Sequence, residues 1–152
     1  MKKIMISGLF ASMLLIGGSN LFSANLTGDP PAKASIVHLN EEAFKKMVFD
    51  YDRNKEWKYE GNMPAIIDFY ADWCAPCRQL SPVVEELAKE YSGKIIVYKV
   101  DTEKESRLAE RIGITALPTL LFIPAKGKPQ VSMGVLPKSS LVKAINDVLL
   151  VK

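Results

Sequence analysis

The sequence predicts an α/β fold, with one mixed five-stranded sheet carrying helices on both faces. Three observations point to it. Segments of β-forming composition alternate with segments whose apolar residues recur at helical spacing, in the order β-α-β-α-β-α-β-β-α. The segment AIIDFY sets apolar residues on both of its sides, with Ala65, Ile67 and Phe69 opposed to Ile66, Asp68 and Tyr70, so both faces of the sheet need cover. The last two strand-like segments flank Lys126-Gly127-Lys128 as a hairpin, whereas earlier ones are separated by helices and need right-handed parallel crossovers.

The elements follow in order. Ala34–Leu39 reads as a short strand. Asn40 is placed to cap a helix with Glu41 and Glu42 in its first turn, where the dipole favours acids. Phe44, Met47, Val48 and Tyr51 give that helix its apolar stripe. A polar segment, Asp52–Asn62, holds Trp57 and Tyr59, expected either to pack against an extended first helix or to form a partner-contacting loop. The second strand is Met63–Ala71. After Cys77, the residues Leu80, Val83, Val84, Leu87, Ala88 and Tyr91 fall at helical spacing, with Pro82 inside expected to kink the helix and Gly93 expected at C′. Lys94–Val100 is a third strand. Thr102 and Glu105 predict a capping box for a helix through Leu108 and Ile112 that stops at Gly113. Pro118–Ile123 and Gln130–Gly134 form the hairpin. Pro137 opens a last helix with Leu141, Ala144, Ile145, Val148 and Leu149 on one side.

The chain has 152 residues, 48% of them hydrophobic and 24% charged, which suits one domain with a core and excludes disordered or fibrous classes. Lys2 and Lys3 precede the apolar run Ile4–Ile16, and small residues follow. That pattern predicts an export signal over residues 1–24, a lead-in over 25–34 and a single domain over 35–152. Cleavage after Ser19 would put Gly17 at the small-residue position, and cleavage after Ala24 would put Phe22 there. An uncleaved anchor is the alternative, although the run is short for a membrane span. Without residues 1–24 the formal net charge falls from +3 to about +1, so no nucleic-acid partner is expected.

Both cysteines, Cys74 and Cys77, lie within WCAPC. As a staple, a loop of four residues would contribute only about 2 kcal/mol. A zinc site needs four ligands, and one distant histidine, His38, would leave the rest to a second chain. Haem attachment needs histidine after the second cysteine, where Arg78 stands. Redox chemistry fits better. The pair follows a strand and opens a helix, whose unpaired N–H groups and partial positive charge favour a thiolate. A thiol of pKa near 8.5 is about 3% ionised at pH 7, and lowering it to about 7 makes that half, a shift worth about 2 kcal/mol. Cys74 is expected to be the exposed nucleophile and Cys77, one turn inside, the resolving thiol. Pro76 suits a first helical turn, where its missing N–H costs nothing.

The combination of DFYADWCAPC, Pro82 within the next helix, ALPT at Ala116–Thr119, and Gly134 resembles the thioredoxin family, from about Ser35 to the C-terminus. The resemblance implies the thioredoxin fold and an exchange of disulfides with other proteins without a bound cofactor. It implies that Pro118 is the cis proline facing the cysteines, with Leu117 beside it, where an extended substrate pairs as an added strand. It further implies that Trp73 and Pro76 contact the substrate and that Gly134 lets it approach closely. Asp68 matches the family's buried acid, whose desolvation would raise its pKa and suit it to take the Cys77 proton through water. Lys99 matches that acid's partner. A solvent-facing acid and a solvated lysine at strand ends are the blander alternatives. The family's usual Gly-Pro is here Ala75-Pro76, Tyr70 stands where Trp is frequent, and the link before the second strand is longer.

With the export signal, these readings give an exported, periplasmic, monomeric thiol–disulfide oxidoreductase. It would act as a reductant or isomerase on disulfide- or dithiol-containing exported proteins, exchanging electrons with a membrane thiol protein. An oxidase inserting disulfides, and a peptide-binding or chaperone module, remain as other readings of the same residues.

Overall fold

The computed structural model describes residues 36–151, so the expected export segment and lead-in lie outside the described residues. The elements run β1 (Ile36–His38), α1 (Glu41–Met47), β2 (Ala65–Tyr70), α2 (Ala75–Glu90), β3 (Ile96–Asp101), α3 (Ser106–Ile112), β4 (Thr119–Ile123), β5 (Gln130–Met133) and α4 (Lys138–Val148), which is the predicted order. The sheet order is β1-β3-β2-β4-β5. β1 and β2 run parallel to β3, while β4 is antiparallel to β2 and β5 to β4.

The two sides of β2 separate as its alternation predicts. Ile66 joins Val97, Leu120 and Phe122 beneath Leu80, Val84 and Leu87 of α2 and Leu141 and Ile145 of α4. Ala65, Ile67 and Phe69 join Tyr98, Leu121 and Ile123 beneath Phe44 of α1 and Leu108 of α3. Each large apolar side chain buried this way contributes about 1.5–3 kcal/mol, so β2 is clamped from both faces and its C-terminal end is a rigid platform. Among the described residues, no helix is long and apolar enough to cross a membrane.

Three local expectations are corrected. First, α1 ends at Met47 and does not continue to Tyr51. The Asp50 carboxylate accepts the N–H groups of Asp52 and Arg53 at 3.1 and 3.2 Å, a local turn that competes with the helix. The segment after it packs on the core: Trp57 lies against Phe49 with ring centroids 4.9 Å apart, and Tyr59 donates to the Met63 carbonyl at 2.7 Å. Gly61 permits this, because a Cβ there would lie 2.4 Å from the Tyr59 ring. Second, the Thr102–Glu105 capping box does not form, and α3 begins at Ser106 without a side-chain cap. Tertiary partners take both groups: Thr102 Oγ1 donates to the Tyr70 carbonyl at 3.0 Å, and Glu105 Oε2 accepts the Glu41 N–H at the start of α1 at 2.8 Å. Third, the C-cap of α2 is Tyr91, so Gly93 stands one residue beyond the C′ position. Pro82 lies inside α2 as expected, and Asn40 caps α1 through its Oδ1, 2.8 Å from the Ala43 N.

Candidate active site

β2 ends at Tyr70, and a short turn leads to Cys74, which is the N-cap of α2 in an extended conformation. The Cys77 N–H points at Cys74 Sγ, 3.2 Å away, so the sulfur occupies the position that a capping oxygen usually takes. The first turn of α2 contains Pro76 and no acidic side chain, so none of its own residues offsets the positive end of the helix dipole. The two cysteines form a disulfide, with an S–S distance of 2.01 Å.

Cys74 is not exposed as expected. It is 3% accessible and Cys77 4%, and both pack with Ala71 against Tyr70 and Leu117. The Cys74 sulfur is bonded to a buried partner, and Tyr70 and Leu117 pack against the pair. Access is retained through a groove of about 600 Å³ that Cys74 lines together with Trp73, Pro76 and Leu117. Trp73 is 67% exposed, a large apolar surface beside the sulfur. The Leu117–Pro118 peptide is cis. Gly134 has φ +82°, donates its N–H to the Pro118 carbonyl at 2.8 Å, and opens on free space where a side chain would project.

Asp68 and Lys99 lie behind the disulfide. Register places them opposite each other on β2 and β3. Both are buried, and Lys99 Nζ stands 3.5 Å from Asp68 Oδ2. Burial pushes the Asp68 carboxyl above the ordinary range, with the nearby Lys99 charge opposing. Asp68 Oδ1 has no hydrogen-bond partner. The strand-end alternatives for these two residues are therefore corrected by the geometry. Cys77 and Lys99 line a second hollow, of about 330 Å³. The cysteine pair thus joins a groove on one side to a charged hollow on the other. His38 lines neither, but it is exposed beside the hollow, opposite Lys99 in the sheet and edge-on to the Tyr70 ring at 6.4 Å.

Sequence reasoning missed two residues of this hollow. Ser81 Oγ accepts a hydrogen bond from Lys99 Nζ, and the Tyr70 ring lies 4.7 Å beneath the same ammonium. Ser81 follows Cys77 by four positions on α2, so helical spacing alone puts the two on one face. Another hollow, of about 620 Å³, lies elsewhere, between α1 and α3, where Glu41, Lys45, Tyr51 and Asp52 are already engaged with one another.

A disulfide capping a helix N-terminus on this sheet, reached through a surface groove, defines a protein-disulfide oxidoreductase. The family model Thioredoxin matches residues 35–147, and the chain belongs to the thioredoxin family. A thioredoxin of Borreliella burgdorferi is 51% identical over 111 residues, covering 73% of this chain and 95% of that protein. The M-type chloroplastic thioredoxin of Spinacia oleracea is 39% identical over 117 residues, covering 76% of this chain and 65% of its own length. The crystal structure of Malassezia sympodialis thioredoxin superposes with a TM-score of 0.60 at 30% identity, over 74% of this chain and 89% of that one. Chloroplastic thioredoxin z reaches a TM-score of 0.64 at 24% identity, over 77% and 96%, a likeness of fold.

Proposed function

We propose that this protein is exported to an oxidising compartment, the periplasm in a cell with two membranes, and there reduces or isomerises disulfides in other exported proteins. The observation that carries the chemistry is the Cys77 N–H aimed at Cys74 Sγ at a helix whose first turn has no acidic side chain. In the reduced protein that donor and the helix dipole stabilise a Cys74 thiolate. The thiolate attacks one sulfur of a substrate disulfide, the other substrate sulfur leaves as a thiolate, and a mixed disulfide forms. Cys77 gives its proton to Asp68 through water and attacks Cys74 Sγ. The second substrate thiol is released and the Cys74–Cys77 disulfide is left. Two electrons pass to the substrate, and a membrane thiol protein returns them. Trp73, Pro76, Leu117, Pro118 and Gly134 seat the substrate as an added strand. Lys99 holds the charge of Asp68.

The reducing direction has its support in what surrounds the sulfurs. Ala75 and Pro76 bring neither charge nor histidine between them. Arg78 donates from Nη1 to the Asp72 carbonyl at 2.9 Å, which ties its guanidinium to the backbone. A strong oxidant stabilises its thiolate far more, by the roughly 150 mV, or about 7 kcal/mol, that separates such enzymes from thioredoxin. Equilibration of the purified domain with glutathione tests the direction, with a potential below that of glutathione expected. A potential above it would make the protein an oxidase. Cys74→Ser is expected to abolish insulin-disulfide reduction, and biological function surviving that substitution would favour a binding role. Sequencing the N-terminus of the protein recovered from the periplasmic fraction tests export. An intact N-terminus in the cytosol would remove it.

A further inference from the structure

The groove beside Cys74 carries one charge that the exchange reaction does not use. Around the sulfur its walls are apolar, formed by Trp73, Pro76 and Leu117. Across from them α3 contributes Glu110, among the described residues the only charged side chain lining the groove. Glu110 is exposed, and among the described residues no ion pair or hydrogen bond engages its carboxylate. It stands on a ridge. The neighbouring hollow, which Glu110 also lines, holds Arg107 and Arg111, and there Glu41 and Asp52 supply acids and Arg111 lies 5.4 Å from the centre of the Tyr51 ring. The groove's own lining therefore has one negative group and no cation, and concave low-dielectric walls concentrate such a field.

We infer that this groove selects extended substrate segments carrying a lysine or arginine close to the disulfide cysteine, with the cation seated against Glu110. The inference rests on the oxidoreductase reading above and specifies its substrate class. An extended segment advances about 3.3 Å per residue and turns alternate side chains to the same side. A cation two residues from the cysteine thus faces the protein whenever the cysteine does. An acidic side chain there meets like charge, so the same group that attracts one substrate class rejects the other.

Disulfide-linked peptide dimers with Lys, Ala or Glu two residues before or after the cysteine test this. The reduced, desalted protein is mixed with each in a single turnover, and after acid quench the released peptide thiol is separated from the protein by chromatography and quantified. The Lys peptide is expected to react about threefold faster than the Ala peptide, and the Ala peptide about threefold faster than the Glu peptide, the scale of an exposed ion pair. In 1 M salt the spread should collapse, because charges are then screened within about 3 Å. Glu110→Gln should bring the three rates together, Glu110→Asp should keep their order, and Glu110→Lys should invert it. Equal rates in the unmodified protein, or a spread that survives Glu110→Gln, would overturn the inference while leaving the oxidoreductase intact. Reduction of no peptide at all would remove both.

Discussion

Replacing Asp68 by Asn keeps the side-chain shape and removes a charge that the fold accommodates poorly. Asp68 is 1% exposed, its Oδ1 has no partner, and its Oδ2 has only the Lys99 ammonium at 3.5 Å. Burial raises its pKa in the folded protein. A group of this kind contributes stability that is fully present below its unfolded-state pKa and is lost as pH rises through the folded-state pKa. Above its folded-state pKa the carboxylate is ionised in both states and the native protein bears the desolvation. Asp68→Asn should therefore increasingly stabilise the oxidised protein as pH rises toward 8, by about 1–3 kcal/mol once the carboxylate is ionised, the cost of a buried polar group left unpaired. Lys99 loses a counter-charge in the variant, but Ser81 Oγ and the Tyr70 ring still hold it at the hollow. Near pH 4 the difference should shrink toward zero. Guanidinium unfolding of both proteins from pH 4 to pH 8 measures this. A variant that is less stable at pH 8, or a difference that does not change with pH, would refute the reasoning.

Three further outcomes are expected. Ser81→Ala removes an acceptor from Lys99 Nζ, lets the ammonium close on Asp68, and should lower the pH midpoint of Asp68 seen by carboxyl NMR titration, with Ser81→Thr retaining the native value. Gly134→Val forces a branched residue into φ +82° at a cost of about 1–2 kcal/mol, and it fills open space beside Pro118, so KM for protein disulfides should rise more than kcat falls. Gly61→Ala drives a methyl group into the Tyr59 ring and should cost about 1–3 kcal/mol in chemical denaturation, with the activity of the folded fraction unchanged.

What the sequence made legible has a common physical basis. Strand and helix order, the two-sided strand β2 and the placement of the cysteines at a helix start all follow from periodicity, which is local and strong. The resemblance supplied the cis peptide at Pro118 and the pairing of Asp68 with Lys99, neither of which spacing alone distinguishes from a plain strand proline or two solvated strand ends. The failures concern side chains with a choice of partner. Thr102 and Glu105 have the spacing of a capping box, yet Tyr70 and Glu41 claim them across the fold. Tyr51 continues a helical stripe, yet Asp50 ends the helix and the ring instead donates to Glu41 Oε1 at 2.9 Å. Ser81 carries no sequence signal beyond its distance from Cys77, because its partner, Lys99, arrives from another strand.

The division of space around the disulfide orders the proposed reaction. A substrate strand lying against Trp73 and Leu117 fills the groove on the Cys74 side, so while the mixed disulfide lasts that route to water is closed. Cys77 must still lose a proton before it can attack. The outlet that stays open is the hollow it shares with Ser81 and Lys99, with Asp68 behind. A carboxylate with an ordinary pKa would be a weak acceptor for a thiol proton, whereas one raised by burial holds that proton more readily. Lys99, bonded to Ser81 as well as facing Asp68, steadies the charge without fully quenching it. The burial that makes Asp68 costly to the fold is thus the property that suits it to the resolving step, and a variant that gains stability by losing this carboxylate should release its substrate more slowly.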